Sequence, residues 1–267
     1  MNKLDKLALK YNSDKYGEHF YTKIYEKFMS KKKNENINLF EIGIGGYVQG
    51  KDYSDPYKGG ESLKMWRDYF KKGTICGLDI YEKKLVLGSR VNIYKGSQTD
   101  PKVLNKIIKE QKKFDYIIDD GSHINKDVIF TFEYMFKSLK EGGYYFVEDT
   151  LTSYLRDYGG EGAYLKKNNT IINYFKNIVD KINYKEIENP YYKSDYFSKN
   201  ITEIHFYHNL IVIKKNKNLE KSFLVANNKK KLKNSKNKKR REIKQKIKYF
   251  LFNLKAKIYE LVDLIKI

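Results

Sequence analysis

The sequence predicts an α/β protein: a doubly wound, mostly parallel sheet of seven strands that ends in an antiparallel hairpin. Three observations carry that expectation. Short apolar runs alternate with amphipathic helical patterns between residues 37 and 214, as strands and crossover helices do in a parallel sheet. The first run, INLFEIG, leads directly into glycines. Two β-rich runs then flank His208-Asn209 in EIHFYHNLIVIKK, with no room for a helix between them, so they must pair as a hairpin.

Taken in order, residues 1–35 read as an N-terminal helical lid, with Phe20, Ile24, Tyr25 and Phe28 spaced for one helix face. The main domain is expected over 36–216. Its parallel strands are INLFEIG (37–43), GTICGLDI (73–80), RVNIYKG (90–96), FDYIID (114–119) and GYYFVED (143–149). A helix is expected over 126–139, with Val128, Ile129, Phe132, Met135, Phe136 and Leu139 on one face. Trp66 reads as a core anchor of the helix after the glycine turn. Residues 217–241 form a basic linker of low complexity. Residues 242–267 follow as an amphipathic helix, with Ile243, Ile247, Phe250, Leu251, Leu254, Ile258, Leu261 and Ile265 recurring at helical spacing.

Composition narrows the function classes. Hydrophobic residues at 40% and aromatics at 15% of 267 residues support a substantial core. The single cysteine excludes an internal disulfide, and Cys76 within TICGLDI reads as a buried strand thiol. MNKLDKLALKYNSDK has no apolar signal-peptide core and no run reaches the length of a membrane span, so the expected location is cytoplasmic. The net charge of +21 is uneven: from Lys214 onward nineteen Lys and Arg face four Asp and Glu, a net of +15, leaving +6 for residues 1–213. Only five of the basic residues are arginine, whereas bidentate reading of nucleic acid favours arginine. Nucleic acid is therefore not the expected partner, although a lysine-rich tail would hold phosphate without sequence preference. A basic amphipathic helix suits an anionic membrane surface, peripheral at its inner face, or a second copy of the chain in a homo-oligomer.

Two stretches carry the chemistry. In FEIGIGGY, Gly43, Gly45 and Gly46 let the backbone turn sharply after a strand and let a ligand approach closely. GLDI then sets Asp79 at the end of the next strand, where a carboxylate commonly accepts a ribose diol. The spacing is not the GxGxxG of a dinucleotide fold. The second stretch, FDYIIDDGSHI, crowds Asp119, Asp120 and His123 into five positions. Adjacent carboxylates repel and are costly to desolvate, so either they splay into water at a turn or a cation and a ligand share them.

With Glu41 before its glycines, FEIGIGGY resembles the E-x-G-x-G motif of class I S-adenosylmethionine-dependent methyltransferases, a Rossmann-like fold, and the hairpin resembles the ending of that fold. Together with SDKYGEHFYTKIYEKF (13–28), GGESLKMWRDYF, GLDIYEK, GSQTD, FDYIIDDGSHI, GGYYFVEDTLTSY, YGG and IHFYHNLIVI, the chain resembles the metal-dependent sugar O-methyltransferases of macrolide biosynthesis over roughly residues 5–215. The resemblance implies S-adenosylmethionine at Glu41, Gly43, Gly45, Gly46 and Asp79, with Gln98 near the adenine and Asp119 facing the cofactor's amino group or a backbone amide. It implies Mg²⁺ or another divalent cation on Asp120, Glu148 and Asp149, and His123 as general base beside Asp120. Residues 150–160 become a substrate loop with Tyr154 and Tyr158 on the sugar, and His19 lies in the lid. His205 and His208 are expected to be packing or edge residues. The implied acceptor is a sugar hydroxyl, of a glycoside or of a surface-glycan precursor. A non-sugar vicinal diol, or a basic nucleic-acid-binding role, are the alternatives.

Overall fold

The computed structural model describes residues 1–48, 54–187 and 192–222, then residues 243, 244, 246–248, 250, 251, 253, 254, 257, 258 and 262. The chain opens with α1 (Lys3–Tyr11) and α2 (Thr22–Met29), then β1 (Asn38–Ile42), α3 (Glu61–Tyr69), β2 (Thr74–Asp79) and β3 (Val91–Lys95). There follow α4 (Pro101–Gln111), β4 (Phe114–Asp119), α5 (Asn125–Met135), β5 (Leu139–Val147), α6 (Ile171–Ile182) and the short α7 (Tyr196–Asn200). The hairpin strands β6 (Ile201–Tyr207) and β7 (Leu210–Lys215) complete the seven-stranded sheet, in the order β3-β2-β1-β4-β5-β7-β6. The first five strands are parallel, and β7 runs antiparallel to both β5 and β6. This is the mostly parallel sheet with an antiparallel ending that the alternation and the hairpin predict, in the seven-stranded form that the resemblance implies.

Successive strand residues face opposite sides of a sheet, and the core divides accordingly. Phe40, Ile42, Ile117, Tyr145 and Val147 pack against α4, α5 and α6. Leu39, Tyr116, Ile118 and Phe146 pack against α1, α2 and α3. Cys76 is fully buried on β2, and burial pushes its thiol up to about 12. Trp66 is buried on α3, as expected, against the Tyr25 ring at 4.9 Å. β1 lies between β2 and β4, where the strand order reverses. Ligands of open α/β sheets sit outside the carboxyl ends of the strands at that crossing point.

Two elements differ from expectation. Residues 12–21 are not helical: α1 ends at Asn12, in the left-handed region at φ 55, and a short bridge pairs Tyr16 with Phe20. Phe20 is 71% exposed, while Tyr21 turns inward. Farther on, the chain stays tied to the body past β7, because Asn218 Nδ2 donates to the Ile182 and Ser198 carbonyls and Ser222 Oγ to Glu186. Residues 223–242, most of the expected linker, lie outside the described residues, as do Leu261 and Ile265. Those described from 243 to 262 are helical, and Ile243, Ile247, Phe250, Leu251, Leu254 and Ile258 are exposed.

Phe132 is the centre of the α5 side of the core, with the Phe136, Tyr145, Phe175 and Phe197 rings at 5.1, 5.1, 4.8 and 5.5 Å. Truncating such a buried aromatic removes its burial and leaves a cavity, a loss of about 3–5 kcal/mol. Denaturant unfolding of Phe132→Ala should show a loss of that size, with the slope of the transition unchanged.

Candidate active site

A cavity of about 850 Å³ opens at the carboxyl ends of β1, β2 and β4, and its lining includes Gly43–Tyr47, Asp79, Gly96–Gln98, Asn12–Lys15, Asp120–Ile124, Asp149 and Tyr158. The glycine turn is required by geometry. Gly43 sits at φ +88, and a Cβ there would lie 1.9 Å from the Asp120 carbonyl oxygen. Gly45, at φ +76, has open space where a Cβ would stand. Asp79 fixes the turn from the side: its Oδ2 accepts from the Ile44 amide at 3.1 Å and its Oδ1 from the Tyr81 amide at 2.8 Å. Lys83 Nζ ties the turn to the next loop by donating to the Gly45 carbonyl and Ser54 Oγ.

Strand alternation separates the adjacent carboxylates of FDYIIDDGSHI. Asp119 ends β4 on the α5 side, where its oxygens accept from Gln98 Nε2 at 3.1 Å and Tyr145 Oη at 3.2 Å. Burial pushes its carboxyl up to about 7, against the hydrogen bonds from Tyr145 and Gln98. Asp120 turns to the opposite side, the side that Glu41 on β1 and Glu148 after β5 also face. There all three meet Lys15. Its Nζ stands 2.8 Å from Asp120 Oδ2, 2.8 and 2.9 Å from the Glu148 oxygens and 3.4 Å from Glu41 Oε1. Lys15 is 1% exposed, Glu41 0% and Glu148 3%. Burial works to discharge the ammonium, but Asp120, Glu148 and Glu41 outweigh it and hold the Lys15 pKa well above the usual lysine range. Tyr25 donates its hydroxyl to Glu148 from the same side.

A second group shares Asp120. His123 Nε2 lies 3.9 Å from Asp120 Oδ1 and 3.9 Å from Asp149 Oδ2, at the cavity wall. Asp149 Oδ1 accepts from Tyr21 Oη at 2.7 Å and lies 4.0 Å from His19 Nε2, while the His19 and Tyr21 rings stack at 4.8 Å. His123 and Asp149 both adopt φ above +50, at 57 and 51. Non-glycine residues occupy that region at a cost and cluster at functional sites.

The expected site residues fall at different depths. Glu41 and Asp119 do not line the cavity; Glu41 faces Lys15 and Ser62, and Asp119 holds the Gly121 backbone amide, one of the two partners expected of it. Gln98 reaches the lining, yet its amide is engaged internally: Oε1 accepts from the Ser122 amide at 2.7 Å, and Nε2 donates to Asp119 and Thr131. Of the expected cation ligands, Asp120 and Asp149 stand together with His123, and Asp120 and Glu148 stand together with Glu41 around the Lys15 ammonium. Tyr158 lines the cavity and Tyr154 does not. Residues 150–158 form two short 3-10 turns, secured by Asn125 Nδ2, which donates to the Thr152 and Tyr158 carbonyls at 2.9 Å each. His205 packs on Phe28 at 5.1 Å and His208 sits exposed in the hairpin turn. Lys15 and Tyr21 were not singled out from the sequence, and Tyr25 was read only as a helix-face residue, although all lie in SDKYGEHFYTKIYEKF.

The donor set fits a divalent cation. Among the described residues two groups bring ligand atoms within 4.8 Å of one another: Asp120, His123 and Asp149, and Glu41, Asp120 and Glu148. Three carboxylates (Glu41, Asp120 and Glu148) meet the Lys15 ammonium, and Glu41 Oε1 is buried without a hydrogen-bond donor. Hard oxygen donors with excess negative charge suit Mg²⁺.

The fold and the glycine turn define the chain as a class I methyltransferase by architecture. No family model matches it. It is homologous over about four fifths of its length to named sugar O-methyltransferases. It is 37% identical over 206 residues to L-olivosyl-oleandolide 3-O-methyltransferase of Streptomyces antibioticus, covering 76% of this chain and 52% of that protein. It is 34% identical over 219 residues to mycinamicin VI 2''-O-methyltransferase of Micromonospora griseorubida, covering 81% and 53%. The solved MycE methyltransferase of the mycinamycin biosynthetic pathway, in complex with Mg and SAH, superposes with a TM-score of 0.77 at 33% identity, covering 83% of this chain and 56% of that one. The chain thus spans about half the length of the relatives it matches.

The position of Asp119 sets a pH dependence. Its folded-state pKa is raised from 3.8 to about 7, so between those values the native state keeps a proton that the unfolded chain has released. This contribution makes stability fall as pH rises from about 4 to about 7, by at most roughly 1.4 kcal/mol per pH unit, and level off above. Urea midpoints across pH 4–8 should show Asp119→Asn gaining on the wild type over that window; parallel profiles would contradict the assignment.

Proposed function

We propose that the chain transfers a methyl group from S-adenosylmethionine to a hydroxyl of a sugar-bearing acceptor, with a divalent cation held by Asp120 and Asp149. The observation that carries this reading is the shared cavity: the glycine turn with Asp79 and the Asp120–His123–Asp149 group line the same space. The named relatives and the Mg- and SAH-bound MycE support the same class of reaction.

The residues divide the work. Each Asp79 oxygen accepts one backbone amide and keeps a lone pair for a ribose hydroxyl. The absent Cβ at Gly45 leaves room for the nucleoside. A divalent cation at Asp120 and Asp149 would supply Lewis acidity to the acceptor hydroxyl. His123 takes the hydroxyl proton, and Asp120 and Asp149, each 3.9 Å from its ring nitrogen, stabilise the imidazolium. The acceptor oxygen forms its bond to the methyl carbon while the carbon–sulfur bond breaks and the sulfonium becomes a neutral thioether. Because the donor is already activated, proximity and charge placement account for most of the protein's contribution.

Calorimetric titration of S-adenosylhomocysteine should give a Kd for the wild type and at least tenfold weaker binding for Asp79→Ala. Asp120→Ala should retain that binding within about threefold and lose chelator-sensitive methyl transfer to a sugar acceptor. Loss of nucleoside binding in Asp120→Ala, with normal turnover of what remains bound, would refute this division.

The finer reading is a surface-glycan precursor as acceptor, met by the enzyme at the inner face of an anionic membrane. Its support is the tail, which combines a net of +15 with a helical, exposed apolar face; among the described residues no helix is long and apolar enough to cross a membrane. A lysine near an anionic surface contributes about 1 kcal/mol. Full-length chain should co-sediment with phosphatidylglycerol vesicles and lose that binding in phosphatidylcholine. A chain ending after Ser222, which keeps the Asn218 and Ser222 contacts, should stay in solution; equal partitioning of both chains would remove the membrane role.

A further inference from the structure

The function proposed above assigns no task to Lys15, yet no other described cation lies so deep among acids. Its ammonium contacts three carboxylates from three neighbouring strands, 26, 105 and 133 residues away in sequence. The hydrogen bond from Lys15 is also the one that fixes the Asp120 side chain among the described residues. With Oδ2 held there, Oδ1 is the oxygen on the His123 side, 3.9 Å from Nε2.

The backbone of Lys15 has a second role. Its carbonyl accepts from the Tyr21 amide at 3.1 Å and the Thr22 amide at 3.3 Å. The loop from Lys15 to Thr22 is therefore closed on itself, and α2 starts from it. Tyr21 and Tyr25 reach Asp149 and Glu148 from that loop and helix. Asn12, Ser13 and Asp14, just before Lys15, form part of the cavity wall.

We propose that Lys15 is a positioning residue: its ammonium fastens the N-terminal segment to the strand-end carboxylates without a metal, and sets Asp120 in the orientation from which it takes a divalent cation. This rests on the cation-assisted reading above for its second half only. Two groups of ligand atoms share Asp120: the ammonium occupies Glu41–Asp120–Glu148 and leaves Asp120–His123–Asp149 for the cation. Lys15, itself in the cavity lining, thereby ties the N-terminal segment to the geometry of that second group.

Hydrogen exchange and Mn²⁺ binding test both halves. In metal-free wild type the Tyr21 and Thr22 amides should exchange slowly, and Mg²⁺ should change their rates less than threefold. In Lys15→Met and Lys15→Gln those amides should exchange at least tenfold faster, and the Mn²⁺ Kd, read by electron paramagnetic resonance, should weaken at least tenfold. The β5 and β7 amides should stay protected and the S-adenosylhomocysteine Kd should stay within threefold. Tyr25→Phe, which removes a buried hydroxyl from Glu148 but leaves Lys15, should bind Mn²⁺ within threefold of wild type. Unchanged or tighter Mn²⁺ binding in a Lys15 variant with a protected sheet would overturn the proposal. If both variants lose the sheet, the wild type decides: Tyr21 and Thr22 amides that open until Mg²⁺ is added would overturn it. A wild type that binds neither Mn²⁺ nor S-adenosylhomocysteine would defeat the methyltransferase reading instead, and the metal-free exchange rates would still decide the fastening by Lys15.

Discussion

Side chains on a strand alternate between faces, and at the carboxyl edge of this sheet that alternation decides which acids meet. Glu41, Asp120 and Glu148 come from the ends of three neighbouring strands, β1, β4 and β5, and share one face. Asp119 and Val147 fall on the other. A shift of one residue in any of these strands would exchange the two sets. The register is held by the apolar residues just before the acids: Phe40 and Ile117 seat against α4 and α5, Leu39, Ile118 and Phe146 against the N-terminal helices. The packing of the core therefore determines the electrostatics at its rim.

Bringing three carboxylates together in a buried space is unfavourable unless positive charge accompanies them. Lys15 supplies it, and supplies it from a segment that belongs to neither the sheet nor its crossover helices. The consequence runs in both directions. The acids keep the ammonium charged against burial, and the ammonium makes the N-terminal segment a wall of the cavity. Asp119, by contrast, has no cation among its hydrogen-bond partners. A glutamine amide and a tyrosine hydroxyl meet its oxygens, and its carboxyl accordingly holds a proton more readily.

Much of this was legible in the sequence because it is local. The strand runs, the hairpin at His208-Asn209 and the burial of Trp66 and Cys76 each follow from spacing within a dozen residues, and the glycine turn and Asp79 each from the strand before them. The contacts of Lys15, Tyr21 and Tyr25 with the strand-end acids were hidden because they join segments 26 to 133 residues apart, and no periodicity marks the irregular loop that holds Lys15 and Tyr21. That loop also read as helix, since Phe20, Ile24 and Phe28 have helical spacing; Phe20 in fact points outward, and Tyr21 is the residue that packs. Glu148 and Asp149 are implied together as cation ligands by the resemblance rather than by any local pattern, and consecutive residues leaving a strand diverge. Glu148 faces Lys15 and Tyr25, while Asp149, in the left-handed region, turns toward His123.

The hairpin has a part in the site beyond completing the sheet. Asn209, left-handed at φ 57 in its turn, offers its carbonyl to the Tyr21 hydroxyl at 3.2 Å and to the Thr150 amide at 3.3 Å. Tyr21 in turn donates to Asp149, one residue before Thr150. Three segments far apart in sequence thus close a ring around a residue held in the left-handed region. Asp149 keeps its left-handed conformation because the backbone amide after it and the phenol on its side chain are both anchored to the same turn. The antiparallel ending of an otherwise parallel sheet brings that turn to the carboxyl edge, where β7 presents its amino end and a parallel strand would have presented its carboxyl end and a different set of backbone groups.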